Sequence, residues 1–383
     1  MGNSYKVKYY QIAQVYIKLQ GNCDLFGLIQ DEFILCEIDK KDEEPDFIIT
    51  ILSPGEKIEH TPDMYSLSGS IAINQRDYLK REGGFSYLVR NLFDFSSNTE
   101  LIISYEDKKS FLRYIKYLLK IFILPTGYTK QISIINMQIA SYLVMWYIFH
   151  VVLLKKNCAF IHSSILQYNN EGFVFAGTGG CGKTSLSFKL LENKLAKYLS
   201  EDFGIVAADG KSYFCPKKIS LYGSDVKYGQ KDLVEYVNNK MKTFDRVNWN
   251  IVKLLGHNPL RKVSPAVLLH ENRISMMTGI NKAYYLARSS GKDICVENIS
   301  NKDFVDRVLN ATFRELKTIY EIVRNIKALT NNDYVYLSMY EIEEKTRRIY
   351  DTAFADAEKK IIYIPLKSSP QDIINILSLG NLN

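Results

Sequence analysis

The sequence lacks the cysteine patterns that mark metal-binding and disulfide-bonded domains. Its six cysteines are scattered, and no C-x-x-C pair occurs among them. Zinc modules and small disulfide frameworks depend on closely spaced cysteines, so neither class is indicated. The N-terminus also lacks the apolar stretch of a secretory signal. From these absences we expect a reduced, cytoplasmic setting.

A strong excess of charge of one sign is also missing. Lysine and arginine number 49 against 42 aspartates and glutamates, which leaves a formal net charge of +7. This charge suits an anionic ligand or an acidic peptide, but it is too small to indicate a nucleic-acid partner. The 383 residues leave room for two domains and a sizeable core, and 46% hydrophobic residues with 24% charged residues are ordinary for a folded protein.

One long stretch without charge requires a choice between a membrane span and a buried helix. Residues 133–154 contain no Asp, Glu, Lys or Arg, and Lys155 and Lys156 follow directly. This length could cross a bilayer. The stretch nevertheless contains several polar side chains, among them Gln138 and His150, and polar groups are costly in hydrocarbon. We therefore predict a buried helix that ends at a domain boundary, and no membrane partner.

The most informative feature of the chain is the glycine-rich segment 177–184, which reads GTGGCGKT. It is a complete phosphate-binding loop of the form G-x-x-x-x-G-K-[ST], whose glycines let the backbone approach a polyanion and direct N–H groups at phosphate oxygens. The apolar run 172–176 before it predicts a buried strand, and Leu186, Leu190 and Leu191 after it share one helical face. The order strand, loop, helix predicts a nucleotide phosphate at a helix N-terminus.

The residues of this loop have distinct expected roles. We expect Lys183 to reach the β- and γ-phosphates and the Thr184 hydroxyl to ligate Mg²⁺. The other expected nucleotide-binding positions are Gly177, Thr178, Gly179, Gly180, Cys181, Gly182 and Ser185.

Two adjacent carboxylates are the best candidates for the chemistry that accompanies a phosphate loop. Glu201 and Asp202 lie in the segment YLSEDFG, one helix and a turn after the loop. One carboxylate there can ligate Mg²⁺, while the other can take a proton from an attacking hydroxyl. Repulsion between the two raises the pKa of one of them. The alternative is a charged strand end that faces water.

His162 stands on the apolar run before the loop, in the segment FIHSS. A lone histidine on an apolar strand is more often a satisfied core residue than a functional one, and its position alone favours that interpretation.

Taken together, these segments resemble a known family. IHSS at 161–164, FVFAGTGGCGKTS at 173–185, YLSED at 198–202 and FCPKKISL at 214–221 are similar to the catalytic domain of HPr serine kinase/phosphorylase. They resemble more closely the stand-alone HPr-kinase-like proteins, some of which serve peptide-modification clusters such as those for lasso peptides. The fold is shared more distantly with ATP-dependent phosphoenolpyruvate carboxykinase. The resemblance covers about residues 158–221.

The resemblance implies an α/β fold in two domains. It predicts a phosphoenolpyruvate carboxykinase/HPr kinase-like P-loop domain over residues 151–383, which binds ATP and Mg²⁺. An N-terminal α+β domain over residues 1–150 would supply substrate recognition or contacts within a homo-oligomer.

The resemblance also implies roles for the site residues. His162 matches a family histidine that lies beside the phosphates. The family usually has Asp-Asp where this chain has Glu201 and Asp202, so that Glu201 would act as the base and Asp202 as a metal ligand. The phosphorylase signature EVRGLG is absent, and Tyr222-Gly-Ser-Asp-Val-Lys227 stands in that region. Reversible phosphorolysis, and HPr itself as substrate, are therefore not indicated.

The function expected from these residues is an ATP- and Mg²⁺-dependent kinase that phosphorylates a hydroxyl of a peptide or a small molecule. An ATP-binding regulatory module without phosphoryl transfer is the alternative. A guanine-specific enzyme is not indicated, since the segment from Asn281 to Tyr284 fails the last position of N-K-x-D. Phosphoenolpyruvate chemistry would require a dedicated arginine cluster, which the sequence does not reveal.

Several further elements can be predicted from the pattern. Asn169-Asn170 and Asp209-Gly210 predict hairpin turns. Arg261 and Lys262, before Pro265, are expected in a loop where one of them contacts phosphate or substrate charge; the alternative is two solvated surface cations. The longer predicted elements are strands at 158–166 and 198–207, an amphipathic helix at 108–124 and one long helix that includes 305–323.

Overall fold

The computed structural model describes residues 5–59, 63–74, 76–82, 84–106, 133–223, 234–241, 243–254, 256, 258–329, 338–377 and 379. Their architecture is mixed α/β, with two large mixed sheets, as expected from the sequence at the level of fold class. The amphipathic helix predicted at 108–124 lies outside these residues.

The strands are, in chain order, β1 Lys6–Ile12, β2 Val15–Gly21, β3 Glu37–Ile38, β4 Phe47–Ile51, β5 Tyr65–Ser68, β6 Ile71–Ile73, β7 Asp77–Glu82, β8 Phe85–Arg90, β9 Thr99–Tyr105, β10 Cys158–Ile161, β11 Ser163–Tyr168, β12 Glu171–Gly177, β13 Ala196–Ser200, β14 Gly204–Ala207, β15 Lys211–Tyr213, β16 Ile219–Tyr222, β17 Leu260–Val263, β18 Met277–Ser289, β19 Cys295–Asn298 and β20 Glu358–Pro365. The α-helices are α1 Asp24–Phe33, α2 Ser133–Lys155, α3 Lys183–Leu190, α4 Thr243–Leu254, α5 Pro265–Leu268, α6 Asn301–Glu315, α7 Lys317–Leu329, α8 Met339–Ala353 and α9 Pro370–Ile376.

The chain divides into two compact units. The first comprises residues 1–156, 254–257 and 316–342, and the second comprises 157–253, 258–315 and 343–383. The boundary between residues 156 and 157 falls directly after α2, whereas the cut expected from the sequence at 150/151 falls inside that helix. The segment 316–342 belongs with the first unit because α7 packs against α2 and β5.

A mixed sheet forms the centre of the first unit. Its strands pair in the order β3-β1-β2-β4-β9-β8-β7-β6-β5. β2, β4 and β9 run parallel, with Ile17 opposite Phe47 and Phe47 opposite Thr99. From Val144 to Leu154, α2 is almost entirely buried, as predicted from its lack of charge. Among the described residues, no helix is both long and apolar enough to cross a membrane.

Three parallel strands lie side by side in the sheet of the second unit and position the glycine-rich segment 177–184. β12 pairs with β18, and β18 pairs with β20, with Gly177 opposite Leu286 and Leu286 opposite Ile362. The carboxyl ends of the three strands therefore meet at one edge of the sheet. Ligands of open α/β sheets commonly bind at such an edge.

Two strands predicted as continuous are each broken at a site residue. The run 158–166 forms β10 and β11, separated by His162, because β10 pairs with β14 whereas β11 pairs with β12 and β13. The run 198–207 forms β13 and β14, separated by residues 201–203. Polar residues stand at both breaks, His162 at the first and Glu201 with Asp202 at the second, but the apolar runs on either side suggested one continuous strand in each case.

The two predicted hairpin turns are confirmed. β11 and β12 are antiparallel around Asn169 and Asn170, whose φ angles are +50° and +65°. β14 and β15 are antiparallel around Asp209-Gly210, with Gly210 at φ +78°. Asparagine and glycine tolerate positive φ better than other residues do, and they occupy the positive-φ positions of both turns.

The prediction of a single long helix that includes residues 305–323 is wrong. This segment contributes to two helices, α6 and α7, which meet at Leu316 and belong to different units. α6 packs against β10, β12 and β20, whereas α7 packs against α2 and β5. The apolar positions of both helices continue in one phase through Leu316, because each helix needs an apolar face for its own core. Periodicity therefore could not reveal the break.

Candidate functional site

The segment 177–184 forms a loop from the end of β12 to the start of α3. Gly177 has φ +144°, and a Cβ atom there would lie 2.5 Å from the Leu286 carbonyl oxygen, so the loop needs glycine at this point. Gly182, at φ +102°, is the N-cap of α3 and offers no side chain to cap it. The first N–H groups of a helix have no intrahelical partner. They are therefore suited to an anion here.

The loop also leaves space on its outer side. Among the described residues, no atom lies within 4 Å of a Cβ built at Gly179 or at Gly180. The Cys181 side chain, by contrast, is buried beneath the loop, with its Sγ 3.8 Å from Lys183 Nζ. The two faces of the loop therefore differ, with an open glycine face and a packed side-chain face.

Lys183 is folded back beneath its own loop. Its Nζ donates to the carbonyl oxygens of Gly177 and Thr178, at 2.8 and 3.0 Å, and to Nε2 of His162 at 3.1 Å. The side chain is 7% exposed. The neighbours of this ammonium group are therefore carbonyl groups of the glycine-rich loop and the histidine that the sequence singled out.

Glu201 meets the hydroxyl of the loop. Thr184 Oγ1 donates to Glu201 Oε1 at 2.6 Å, and the Ser220 N–H donates to Glu201 Oε2 at 3.3 Å. Lys262 Nζ donates to Ser220 Oγ at 2.5 Å. The side chain of Glu201 is buried, so it is not the solvated strand end that the sequence left as an alternative.

Asp202 faces a different set of partners. Its backbone is in the left-handed region at φ +70°, which non-glycine residues adopt rarely. Lys217 Nζ donates to Asp202 Oδ2 at 2.5 Å and lies 3.9 Å from the centre of the Phe203 ring. His162 Nδ1 is 3.6 Å from Asp202 Oδ1. The turn at 201–203 thus directs the two adjacent carboxylates towards different neighbours.

Burial and charge shift the pKa values of these groups in different directions. Burial, reinforced by Asp202, raises the pKa of Glu201. Burial alone would raise the pKa of Asp202 as well, but Lys217, Lys262 and His162 hold it well below its usual range. Burial and the Lys183 ammonium lower the pKa of His162 to about 4, so this imidazole is neutral at pH 7. The pair therefore consists of one carboxylate inclined to take up a proton and one that stays ionised.

The site brings together the residues predicted from the sequence and adds others. His162, Lys183, Thr184, Glu201 and Asp202 converge, although they lie on separate elements. Lys217 lies within the segment FCPKKISL, but the sequence alone gave it no role. Its only signal in the sequence was its place in the segment 214–221.

The prediction that Arg261 and Lys262 lie in a loop is wrong. Both lie on the strand β17, not in a loop, and Lys262 bonds Ser220 beside Glu201. Whether they contact phosphate or substrate stays a prediction.

The residues fit Mg²⁺ in the manner usual for nucleotide sites. Mg²⁺ takes oxygen ligands and is commonly held by one or two carboxylates together with substrate phosphates. Thr184, Glu201 and Asp202 offer such oxygens next to the loop. Across the described residues, no three His, Cys, Asp or Glu side chains form a cluster that could hold a metal ion.

No protein-family model matches the chain, and no curated protein matches it.

Proposed function

We propose that the chain is an ATP- and Mg²⁺-dependent kinase that transfers a phosphoryl group to a hydroxyl of serine type, in a peptide or a small molecule. The observation that carries the proposal is the 2.6 Å hydrogen bond between Thr184 of the loop and Glu201 of the carboxylate pair. A phosphate-binding loop alone needs no carboxylate at its hydroxyl. A phosphotransferase needs one there, for the metal ion or for the proton of the acceptor.

Each residue has a task in the proposed reaction. The N–H groups of the loop and Lys183 would bind the phosphates, and Thr184 and Asp202 would hold Mg²⁺, which would supply positive charge against the negative charge that develops on the phosphates. Glu201 takes the proton of the acceptor hydroxyl, whose oxygen forms a bond to phosphorus as the bond to the ADP oxygen breaks. Neutral His162 orients Lys183 through the 3.1 Å contact of their nitrogens.

The contacts of the two carboxylates leave one assignment to be tested. The raised pKa of Glu201 suits a group that takes up a proton, and the ionised state of Asp202 suits a metal ligand. The hydrogen bond from Thr184 to Glu201 would equally suit a Glu201 that holds the ion. The variants Glu201→Gln and Asp202→Asn distinguish these assignments, because only the loss of a metal ligand raises the Mg²⁺ concentration that transfer requires.

A regulatory ATP-binding module is the second candidate, and one observation favours it. Lys217 already neutralises Asp202 through a partly buried ion pair, so a charge that a kinase would use for its metal ion is partly taken up by the protein. Such a module would bind Mg²⁺-ATP without transferring phosphate.

The test is incubation of the protein with Mg²⁺-ATP and three groups of acceptors: serine-containing peptides, free hydroxy amino acids and sugars. The kinase proposal predicts an acceptor mass increase of one phosphoryl group together with ADP formation. A Lys183→Ala variant serves as the matched control. Tight binding of Mg²⁺-ATP without transfer to any acceptor would replace the kinase proposal with the regulatory one.

A further inference from the structure

Arg288 lies at the nucleotide edge of the sheet, although nothing in the motifs points to it. It stands on β18, two residues beyond Leu286, which is opposite Gly177 at the start of the phosphate-binding loop. The carboxyl end of β18 lies between those of β12 and β20. The side chain of Arg288 therefore starts from the strand that directly neighbours the loop.

Two carbonyl oxygens hold the guanidinium group. Arg288 Nε donates to the Gly180 carbonyl oxygen at 3.3 Å, and Nη1 donates to the Pro365 carbonyl oxygen at 3.2 Å. A guanidinium group has five N–H donors, so three remain after these two bonds within the described part of the chain. The residue is exposed, which leaves those donors open to a ligand.

The remaining donors are close to the start of α3. Nη2 of Arg288 would lie 3.5 Å from a Cβ atom built at Gly182, the N-cap of that helix. The positive end of the helix and the guanidinium charge therefore occur at the same point of the loop. Two positive groups side by side repel each other unless an anion lies between or beside them, and arginine binds phosphate through paired N–H groups.

We propose that Arg288 is a phosphate ligand of the bound nucleotide, an inference that rests on the proposed ATP site and adds a second cation to Lys183. In this arrangement the carbonyl groups of Gly180 and Pro365 orient the guanidinium group. Its remaining Nη donors bind a phosphate oxygen. Lys183 approaches the phosphates from beneath the loop, whereas Arg288 approaches from its exposed side. The contact is directed at phosphate rather than at the base or the sugar.

The competing interpretation is a structural brace that only ties the loop to β18 and β20. The two differ in what they predict. A brace stabilises the protein without nucleotide, and its loss lowers the thermal midpoint of the free protein. A phosphate ligand contributes when phosphates are present, and its loss lowers the affinity for ATP and ADP but not that for adenosine.

The experiment compares Arg288→Gln with Arg348→Gln, an equal change of charge at an arginine on α8 whose side chain is 76% exposed. Calorimetric titration with ATP, ADP and adenosine gives the three affinities, and thermal unfolding without ligand gives the stability. We expect Arg288→Gln to weaken ATP and ADP binding about ten- to hundredfold, the range for one charge-assisted hydrogen bond or more. Adenosine binding, and all three affinities of Arg348→Gln, should stay at the level of the parent.

Equal ATP affinity in Arg288→Gln and the parent would overturn the proposal, while leaving the ATP site itself intact. A lowered midpoint with unchanged ATP affinity would establish the brace instead. If the parent binds no nucleotide, both the proposed function and this inference fail. Should Arg288→Gln not fold, Arg288→Lys decides: it keeps the charge but cannot form paired N–H bonds, so undiminished ATP affinity in that variant contradicts the proposal.

Discussion

Two lysines, the half-buried Lys155 of the first unit and the buried Lys183 of the second, place the same cation in different surroundings. Lys155 at the end of α2 donates to the carbonyl oxygens of Asn91, Asp94 and Ser97, at 2.8, 2.7 and 3.0 Å, and to Thr99 Oγ1 at 2.8 Å. Lys183 donates to two carbonyl oxygens, while its other neighbours are an imidazole nitrogen and a thiol.

The loops around these lysines differ as much as their partners do. The loop at 91–99 is fixed by Asp94, whose carboxylate accepts from Ser96 and Ser97, so its carbonyl groups stay turned towards Lys155. The loop at 177–184 contains glycines at positive φ and has open space on its outer face. An ammonium group surrounded by oxygens from an ordered loop is structural. One with weaker partners beneath a glycine loop can exchange them for a ligand.

The largest effect is expected when Lys183, the lysine beneath the glycine loop, is replaced. Lys183→Ala should weaken ATP binding and abolish detectable transfer, because the phosphates lose their cation, while the fold stays intact. Titration calorimetry with ATP and an assay of ADP formation measure the two effects, and circular dichroism checks the fold. Unchanged affinity and activity would remove the assignment of the phosphate-binding loop.

The carboxylate pair supplies the next largest effect. Glu201→Gln should keep ATP binding but lose transfer by roughly a hundredfold or more, since glutamine preserves size and hydrogen bonding yet cannot take up the proton. Asp202→Asn should mainly raise the Mg²⁺ concentration needed for half-maximal activity, because a metal ligand has lost its charge.

Steady-state rates across a Mg²⁺ titration separate the two variants. If Glu201→Gln raises the Mg²⁺ requirement while Asp202→Asn abolishes transfer, the two roles are exchanged. Transfer at the parent rate in Glu201→Gln would show that Glu201 is not the base.

Lys155 is the structural counterpart, and its removal should act on stability alone. Lys155→Met keeps the aliphatic stem but leaves carbonyl oxygens without their donor, which should lower the free energy of unfolding by roughly 2–3 kcal/mol. Urea denaturation measures this change, and ATP affinity should equal that of the parent. A loss of ATP affinity in the folded variant would contradict the separation of the two lysines.

The smallest expected effect concerns the buried His150. Burial lowers the pKa of His150 in α2 from its usual value near 6.5 to about 3. The unfolded state therefore binds a proton between these pH values that the folded state does not, and stability falls as the pH falls from 6.5 towards 3. Between pH 7.5 and 5.5 the single group should contribute a loss of about 1.4 kcal/mol.

His150→Gln should reduce the pH dependence of the unfolding free energy by that amount, as measured by urea denaturation at both pH values. The difference between variant and parent cancels the contribution of His162 and all other groups. An identical pH dependence in the two proteins would show that His150 is protonated equally in the folded and unfolded states.

The local parts of the candidate site could be predicted from the sequence because each depends on a few neighbouring residues. The order strand, loop, helix around the glycine motif appears as β12, residues 177–184 and α3. The hairpins at Asn169-Asn170 and Asp209-Gly210 follow from residues that tolerate positive φ. The absence of charge in 133–154 corresponds to the burial of α2 from Val144 onward.

Other features depend on pairings that no local pattern encodes. The break at His162 arises because β10 and β11 pair with different strands, and the split at Leu316 arises because α6 and α7 pack against different cores. Lys217 reaches Asp202 across a turn whose residue 202 adopts a left-handed backbone.

The sequence by itself determined where a glycine-rich loop with a phosphate-binding motif, two carboxylates and a histidine occur along the chain, because residue type and spacing suffice for that. Only the tertiary structure decided which of these groups meet, and with which partners. Thr184 contacts Glu201 whereas Lys217 contacts Asp202, since the turn at 201–203 directs adjacent side chains apart. Arg288 reaches Gly180 because parallel pairing brings together strands that are distant in the sequence. Such contacts follow from the register of the sheet, which long-range packing sets.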